Sequence, residues 1–290
     1  MTNSNMKIID ATKDILTSYA NGQFNIEKWK AYIESTLPDV KDICLQDMAE
    51  STSAGLSWEH DYLPVLNSVF DNTEKIKKII KSFNKVTEKL NDKVYERFGK
   101  PLDADIILYL GLCSGAGWVT KVKGKTTVLL GIEKIIELEW YDIDHMNGLI
   151  LHELGHVYQA QYGILHREIS SSRDRFLWQL FTEGIAMVFE QEIVGDPDYY
   201  HQDRAGWKNW CSQNMQLILR SFLNDLDTMT RGDQRYFGDW ADFYGYGDVG
   251  YYLGARFVRF LLGPGSFDDL ISYDADDVRK GFEMFLASNP

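Results

Sequence analysis

Two histidines and a glutamate lie within five consecutive residues, in the order His152-Glu153-Leu154-Gly155-His156. Apolar residues flank this pentapeptide at helical spacing, which predicts a helix with one face in a core. Side chains four residues apart lie on the same helix face, so the two imidazoles come close enough to hold one metal ion. Glu153 is placed to reach a water on that metal. We therefore predict that His152 and His156 are metal ligands and that a third ligand lies elsewhere.

The third ligand is predicted in a second apolar helix, Phe176–Gln191. Glu183 has apolar neighbours on both sides there, and an ionised carboxylate in such surroundings is costly unless it is paired or bound to a metal. The adjacent Gly184 permits close helix packing. We predict that Glu183 is the ligand, and that Glu190 and Glu192 are ordinary exposed side chains.

His166 is a weaker candidate for the third ligand. The metzincin pattern would require glycine at position 159 and histidine at 162, where this chain has Gln159 and Tyr162. We expect His166 to be a surface or loop residue and Gly163 to cap the end of the metal-binding helix.

The composition limits the size, the partners and the location that we expect for this protein. The 290 residues, 44% hydrophobic and 25% charged, are enough for one large or two fused domains. The net charge of -13 repels phosphate backbones and argues against a nucleic-acid partner. Because no apolar run approaches the roughly 20 residues of a membrane span, and the N-terminus lacks a signal-peptide pattern, we expect a cytoplasmic protein without a membrane span.

The three cysteines are scattered: Cys44, Cys113 and Cys211. An odd number without C-x-x-C spacing fits a reducing compartment and argues against disulfides or a zinc ribbon. We expect each cysteine to be a small buried residue and not a nucleophile.

The first hundred residues carry no chemistry, and we predict an N-terminal helical region, 1–100, followed by a second domain, 101–290. Short helices are expected between Ala11 and Leu37, where Pro38 breaks the run, and over Val40–Glu50. One long amphipathic helix is expected over Thr73–Phe98, with Gly99 at its end.

Two β-rich runs, Asp105–Leu110 and Lys125–Leu130, surround a glycine-rich segment. We predict that they are antiparallel strands of a small sheet packed on the metal-binding helix. Gly115 and Gly117 are not followed by a helix, which excludes a dinucleotide-binding loop. Two interpretations stay open: an edge strand that pairs with an extended peptide, with Gly115, Gly117 and Trp118 in contact with it, or an ordinary sheet with a glycine-rich turn.

The segment Asp196–Tyr246 is rich in aromatic residues, which line a binding cleft or simply pack a core. Glycines then lead into a helix that ends at Leu262. Tyr246, Tyr251 and Tyr252, near its beginning, are candidate contacts for a ligand, with core packing as the alternative. A last helix is expected near Ala275–Ala287.

The two helices together resemble a known group of enzymes. His152-Glu153-x-x-His156 followed by Thr182-Glu183-Gly184-Ile185-Ala186 resembles the gluzincin metallopeptidases, and more closely a bacterial family of predicted zinc-dependent proteases of unknown function. The resemblance includes Tyr109–Trp118, Leu130–Lys134 and Gly250–Gly254, and it covers roughly Asp105 to Leu262. It implies a zincin-like fold of the α+β class, mainly helical, with Zn²⁺ held by His152, His156 and Glu183.

The resemblance also implies roles for single residues. Glu153 would activate a water for attack on a peptide bond. Tyr251-x-x-Gly254 is similar to the Tyr-x-x-Gly of aminopeptidase N-type enzymes, whose tyrosine stabilises the tetrahedral intermediate. Tyr246 matches a tyrosine in some of those enzymes, and Tyr252 is a rival of Tyr251 for the same role.

The chain also departs from these enzymes. The interval between His156 and Glu183 is longer, and Met187 stands where thermolysin-like enzymes have an aspartate that supports a histidine ligand. The chain lacks the Gly-x-Met-Glu-Asn stretch that holds a free amino terminus. We expect a zinc metallopeptidase acting on peptides or proteins. The alternative is a catalytically inactive, zinc-stabilised protein that binds peptides or regulates a partner.

Overall fold

The computed structural model describes residues 6–238 and 240–289. Thirteen α-helices and six β-strands form their regular structure, which confirms a mainly helical protein with a small sheet. The chain divides into two compact units, Met1–Glu153 and Leu154–Pro290, and the division falls inside the long helix Ile143–Tyr162. The predicted division into residues 1–100 and 101–290 stays a prediction.

The first unit contains a four-stranded sheet and a two-stranded hairpin. Its strands are β1 (Lys7–Asp10), β2 (Tyr19–Ala20), β3 (Gln23–Phe24), β4 (Asp105–Tyr109), β5 (Gly117–Val122) and β6 (Lys125–Gly131). The larger sheet has the order β1-β4-β6-β5, in which β4 is parallel to both β1 and β6, and β5 is antiparallel to β6. The sheet is mixed, so the prediction that the two β-rich runs are antiparallel neighbours is wrong.

The prediction failed because it did not include β5, the strand that lies between those two runs in the chain. Lys123 and Gly124 both have positive φ angles, 50° and 80°, as a tight two-residue hairpin turn requires. This turn joins β5 to β6 in the predicted glycine-rich segment. Because the chain reverses once at the end of β4 and again at this turn, β6 runs in the same direction as β4. The edge strand β1 was also missed: it has four residues, three of them exposed.

Six further helices belong wholly to the first unit: α1 (Ile26–Thr36), α2 (Pro38–Ser53), α3 (Leu63–Asp71), α4 (Thr73–Thr87), α5 (Leu90–Phe98) and α6 (Ile132–Glu137). Pro38 begins α2, since proline is tolerated in the first turn of a helix. The single helix predicted over Thr73–Phe98 is two helices, interrupted at residues 88–89. Gly99 adopts the left-handed conformation that the cap prediction requires, with φ 68°.

Two side chains of α1 fix the ends of the strands. The Trp29 indole donates to the carbonyl of Leu110 at 2.9 Å, and the Tyr32 hydroxyl donates to the carbonyl of Ala11 at 2.6 Å. Both rings are buried. The N-terminal helices therefore hold the segment that follows β4.

The helix α7 (Ile143–Tyr162) continues from the first unit into the second. The second unit also contains α8 (Ser172–Val194), α9 (Trp207–Gln213), α10 (Met215–Asp225), α11 (Val249–Leu262), α12 (Phe267–Leu270) and α13 (Ala275–Ser288). The predicted helices are present at α8, α10, α11 and α13. None of the helices in the described part of the chain combines the length and apolar character that crossing a membrane requires.

Two glutamates of α8 differ from the prediction of exposed side chains. Glu190 is fully buried, and its carboxylate lies 2.9 Å from Nδ1 of the buried His201. Glu192 is half-buried and forms an ion pair with Arg259 of α11. Apolar neighbours in the sequence therefore did not distinguish a candidate metal ligand from a buried acid with a protein partner.

Candidate metal centre

Small residues let the helices of the second unit approach closely. A Cβ atom added to Gly155 of α7 would lie 2.7 Å from the Cα atom of Ala186 in α8. One added to Gly184 of α8 would lie 2.3 Å from the carbonyl oxygen of Gly254 in α11. Real Cβ contacts do not reach such distances, so only glycine allows these backbones to touch. The residues beside these glycines, His156 and Glu183, are thereby brought together.

The three predicted metal ligands form one group. His152 and His156 lie one turn apart on α7, Glu183 comes from α8, and one ligand atom from each lies within 4.8 Å of the other two. Nε2 of His156 is 3.2 Å from Oε2 of Glu183. His152 is buried, whereas the His156 and Glu183 side chains are 14% and 17% exposed. Two of the three candidate ligands therefore keep part of their surface exposed to solvent.

The donor set fits a divalent transition metal. In a tetrahedral zinc site with bonds of about 2.0–2.2 Å, two ligand atoms lie roughly 3.4 Å apart. The 3.2 Å between His156 and Glu183 matches that spacing, although it also suits a direct hydrogen bond. Two imidazoles and one carboxylate are ligands that zinc accepts, and three protein ligands leave the fourth position for water or substrate.

Glu153 lies beside the sheet. It is 6% exposed, and a Cβ atom added to Gly117 would lie 2.7 Å from its Oε1 atom. Gly117 is the first residue of β5, the last strand in the order of the sheet. Glycine at this position therefore leaves room for the Glu153 carboxylate next to the end of the edge strand.

The other two predicted contacts of the glycine-rich segment are placed differently. Side chains alternate between the faces of a strand, so Trp118 points away from the face on which Gly117 meets Glu153. Its indole lies 3.3 Å from the hydroxyl of buried Tyr109 in β4. Gly115 has φ 155° and approaches the carbonyl of Gly117, which gives it a role in the bend before β5.

Tyr251 lies in the first turn of α11. It precedes Gly254 by three residues, and Gly254 contacts Gly184, the neighbour of Glu183. The Tyr251 ring is half-buried and packs edge-on against Phe237 at 5.8 Å.

The other two candidate tyrosines belong to aromatic clusters. Tyr252 is 5% exposed and stacks on Tyr200 at 5.3 Å, with Trp207 against its edge. Tyr246 stacks on Trp210 at 4.2 Å, in the segment before α11. Tyr252 is therefore packed in the core, whereas Tyr246 and Trp210 form a half-buried stacked pair, and both tyrosines stay candidate contacts.

The residues at and after the end of α7 include the position at which the chain departs from the metzincin pattern. Gln159 is fully buried, and its amide donates to the carbonyl of Ile164 at 2.8 Å. Gly163 follows the last residue of α7, and its amide donates to the carbonyl of Gln159 at 2.9 Å, as expected of a capping residue, although its φ is not left-handed. A Cβ atom there would lie 2.3 Å from the carbonyl oxygen of Ile271. His166 is exposed in the loop after α7 and is not part of the metal-binding group.

Two of the three cysteines match the expectation of buried, unreactive thiols. None of the three forms a disulfide, and Cys44 and Cys211 are fully buried, whereas Cys113 is half-buried. Burial raises the pKa of both Cys44 and Cys211 to about 12. The nucleophilic thiolate form of these two residues is therefore negligible at neutral pH.

Sequence reasoning missed Glu133. This residue lies in the first turn of α6, is fully buried, and accepts hydrogen bonds from the backbone amides of Gly111 and Cys113 at 2.9 and 3.0 Å. Burial raises the pKa of its carboxyl group, and the backbone hydrogen bonds oppose that effect. An acid within the apolar run Ile132–Ile136 was the available signal, the same one that identified Glu183.

We expect Gly184→Ala to lower the free energy of unfolding by about 3 kcal/mol, the upper range for overpacking a core. The added methyl group would meet backbone atoms of Gly254, which cannot rotate away. Thermal or urea unfolding measures the effect. Gly232→Ala is the control, since that exposed glycine has no atom near its Cβ position and should stay within about 0.5 kcal/mol of wild type. Equal stability of the two variants would contradict the close helix contact.

The chain was also compared with known proteins. No family model, curated protein or solved structure matches it. The candidate metal centre is defined by its own residues: three side chains on α7 and α8 that could hold a metal ion, and a buried carboxylate, Glu153, against the edge strand.

Proposed function

We propose that the protein is a cytoplasmic zinc metallopeptidase with a zincin-like arrangement of its metal-binding helix and sheet. The observation that carries the proposal is the grouping of His152, His156 and Glu183, with Glu153 next to the first histidine and buried. Two histidines and an acid from different helices, with a further carboxylate between the histidines in sequence, are what hydrolysis with a metal-activated water requires.

The metal and Glu153 have separate tasks. When bound, Zn²⁺ would polarise the substrate carbonyl and lower the pKa of a water from about 16 to about 7. Glu153 accepts a proton from the attacking water as its oxygen adds to the carbonyl carbon. Glu153 then gives this proton to the amide nitrogen as the C–N bond breaks, so the products are a carboxylate and an amine.

The edge strand provides a place for the peptide. A strand at the end of a sheet offers unpaired N–H and C=O groups, and an extended peptide can add to it as a further strand. In the described residues β5 pairs with β6 alone, and it begins at Gly117, against Glu153. A peptide along β5 would therefore pass the proposed general base. This geometry favours cleavage within an extended segment.

Tyr251 is proposed to support the developing negative charge. Negative charge forms on the carbonyl oxygen as water adds, and a phenol can donate a hydrogen bond to it. Tyr251 precedes by three residues on α11 the glycine, Gly254, that contacts Gly184 beside Glu183, and this spacing supports the proposal. By contrast, the packing of Tyr252 in an aromatic cluster favours Tyr251 over its neighbour.

Metal removal and peptide digestion test the function. We expect about one zinc per chain and cleavage of peptides from a mixed library, read by mass spectrometry. Chelation should abolish cleavage and added zinc should restore it. Cleavage that survives full metal removal would refute the proposal. Zinc binding without any cleavage across a broad library would instead favour the inactive peptide-binding protein.

A further inference from the structure

The buried carboxylate of Glu133 accepts hydrogen bonds from the segment between β4 and β5. Each oxygen of Glu133 accepts one backbone amide: Oε2 from Gly111 at 2.9 Å and Oε1 from Cys113 at 3.0 Å. The side chain is fully buried. A buried carboxylate is costly to desolvate, and the two amides offset that cost only while both oxygens accept.

Backbone atoms approach this carboxylate closely. A Cβ atom at Gly111 would lie 2.6 Å from Oε1 of Glu133, and one at Gly131 would lie 2.9 Å from the same atom. The amide of Gly131 also donates to the carbonyl of Ala116 at 3.0 Å. The ends of β4 and β6 and the segment between β4 and β5 therefore meet at Glu133.

This segment leads directly to the proposed general base. It begins at Leu110, whose carbonyl accepts from Trp29, and it ends at Gly117, whose Cα atom faces Glu153. Gly117 is also the first residue of the strand along which a peptide can add. A shift of the segment would change both the position of that strand and the room left for Glu153.

We infer that Glu133 is a positioning residue, which holds the start of β5 beside Glu153 and so sets the edge that binds the peptide. The inference rests on the proposed peptidase function. Glu133 touches neither the metal-binding group nor the peptide in this arrangement; it acts through the backbone of Gly111–Gly117.

Holding this segment requires the negative charge and both acceptor oxygens of Glu133. Glutamine has nearly the same shape, but it presents one acceptor and one N–H donor. In Glu133→Gln one of the two backbone amides would therefore face another donor. Because the edge strand binds the peptide equally in the ground state and the transition state, loosening it should raise KM more than it lowers kcat.

The test combines amide hydrogen exchange with steady-state kinetics of the zinc-loaded full chain. In Glu133→Gln we expect the amides of Gly111 and Cys113 to exchange roughly tenfold faster or more. We expect KM for a cleaved peptide to rise about tenfold, kcat to stay within about threefold, and zinc content to be unchanged. Glu96→Gln removes the same charge from the exposed side of α5 and should change none of these values.

Each outcome decides a separate question. Unchanged exchange over Gly111–Gly117, or faster exchange with an unchanged KM, overturns the positioning role. If the wild type cleaves no peptide, the proposed function fails, and the exchange rates still decide whether Glu133 holds the segment. If Glu133→Gln does not fold, Glu133→Asp replaces it: the shorter side chain keeps the charge but cannot reach both amides, and it should raise exchange and KM in the same way.

Discussion

Replacement of Glu153 by glutamine is expected to leave zinc bound and to lower kcat by about 10³-fold, within the range for loss of a general base. Glutamine fills the same space beside Gly117, where a Cβ atom would already meet the Glu153 carboxylate. It cannot accept the proton of the attacking water. Measured zinc content and the rate of peptide cleavage check both parts of this prediction.

A charge-matched control separates catalysis from electrostatics. Asp144→Asn removes one negative charge from the exposed first turn of the same helix and should keep wild-type turnover. Turnover of Glu153→Gln equal to that of the control would exclude Glu153 as the base. Loss of zinc from Glu153→Gln would instead show that this side chain supports the metal ligands.

The grouping of the candidate ligands was predictable because the spacing of the two histidines is local. The spacing of His152 and His156 requires only a helix, and α7 provides it. Glu183 was identified by an acid in apolar sequence next to a glycine, and the structure shows why that glycine matters, since Gly184 meets the backbone of Gly254. Helix periodicity similarly predicted α8 and α11.

The sheet was less predictable because strand pairing joins distant parts of the chain. The parallel pairing of β4 with β1 joins residues near 105 to residues near 8, and no local pattern encodes such a contact. The Lys123-Gly124 turn was a local signal for the β5–β6 hairpin, yet the glycines before it favoured a loop. Apolar sequence neighbours were also an ambiguous signal, since Glu183, Glu190 and Glu133 all have them. Glu183 lies in the candidate metal centre, Glu190 pairs with a histidine, and Glu133 accepts from two backbone amides.

Replacement of Glu183 by alanine is expected to weaken zinc binding by about 100-fold or more. The binding free energy of zinc in a four-ligand protein site is about 10–16 kcal/mol at neutral pH, so one ligand accounts for about 3 kcal/mol. Competition with a chromophoric chelator measures the affinity. Glu168→Ala, an exposed acid in the loop between α7 and α8, is the control and should bind zinc as the wild type does.

The same variant decides between a metal site and a plain ion pair. Nε2 of His156 and Oε2 of Glu183 are 3.2 Å apart, a distance that suits either. If the two side chains share a zinc ion, zinc should raise the unfolding temperature of the wild type, and Glu183→Ala should lose most of that increase. If they form only an ion pair, zinc should not change the unfolding temperature of the wild type, and Glu183→Ala should be equally destabilised with and without chelator. Only the first result is compatible with a catalytic metal held by these residues.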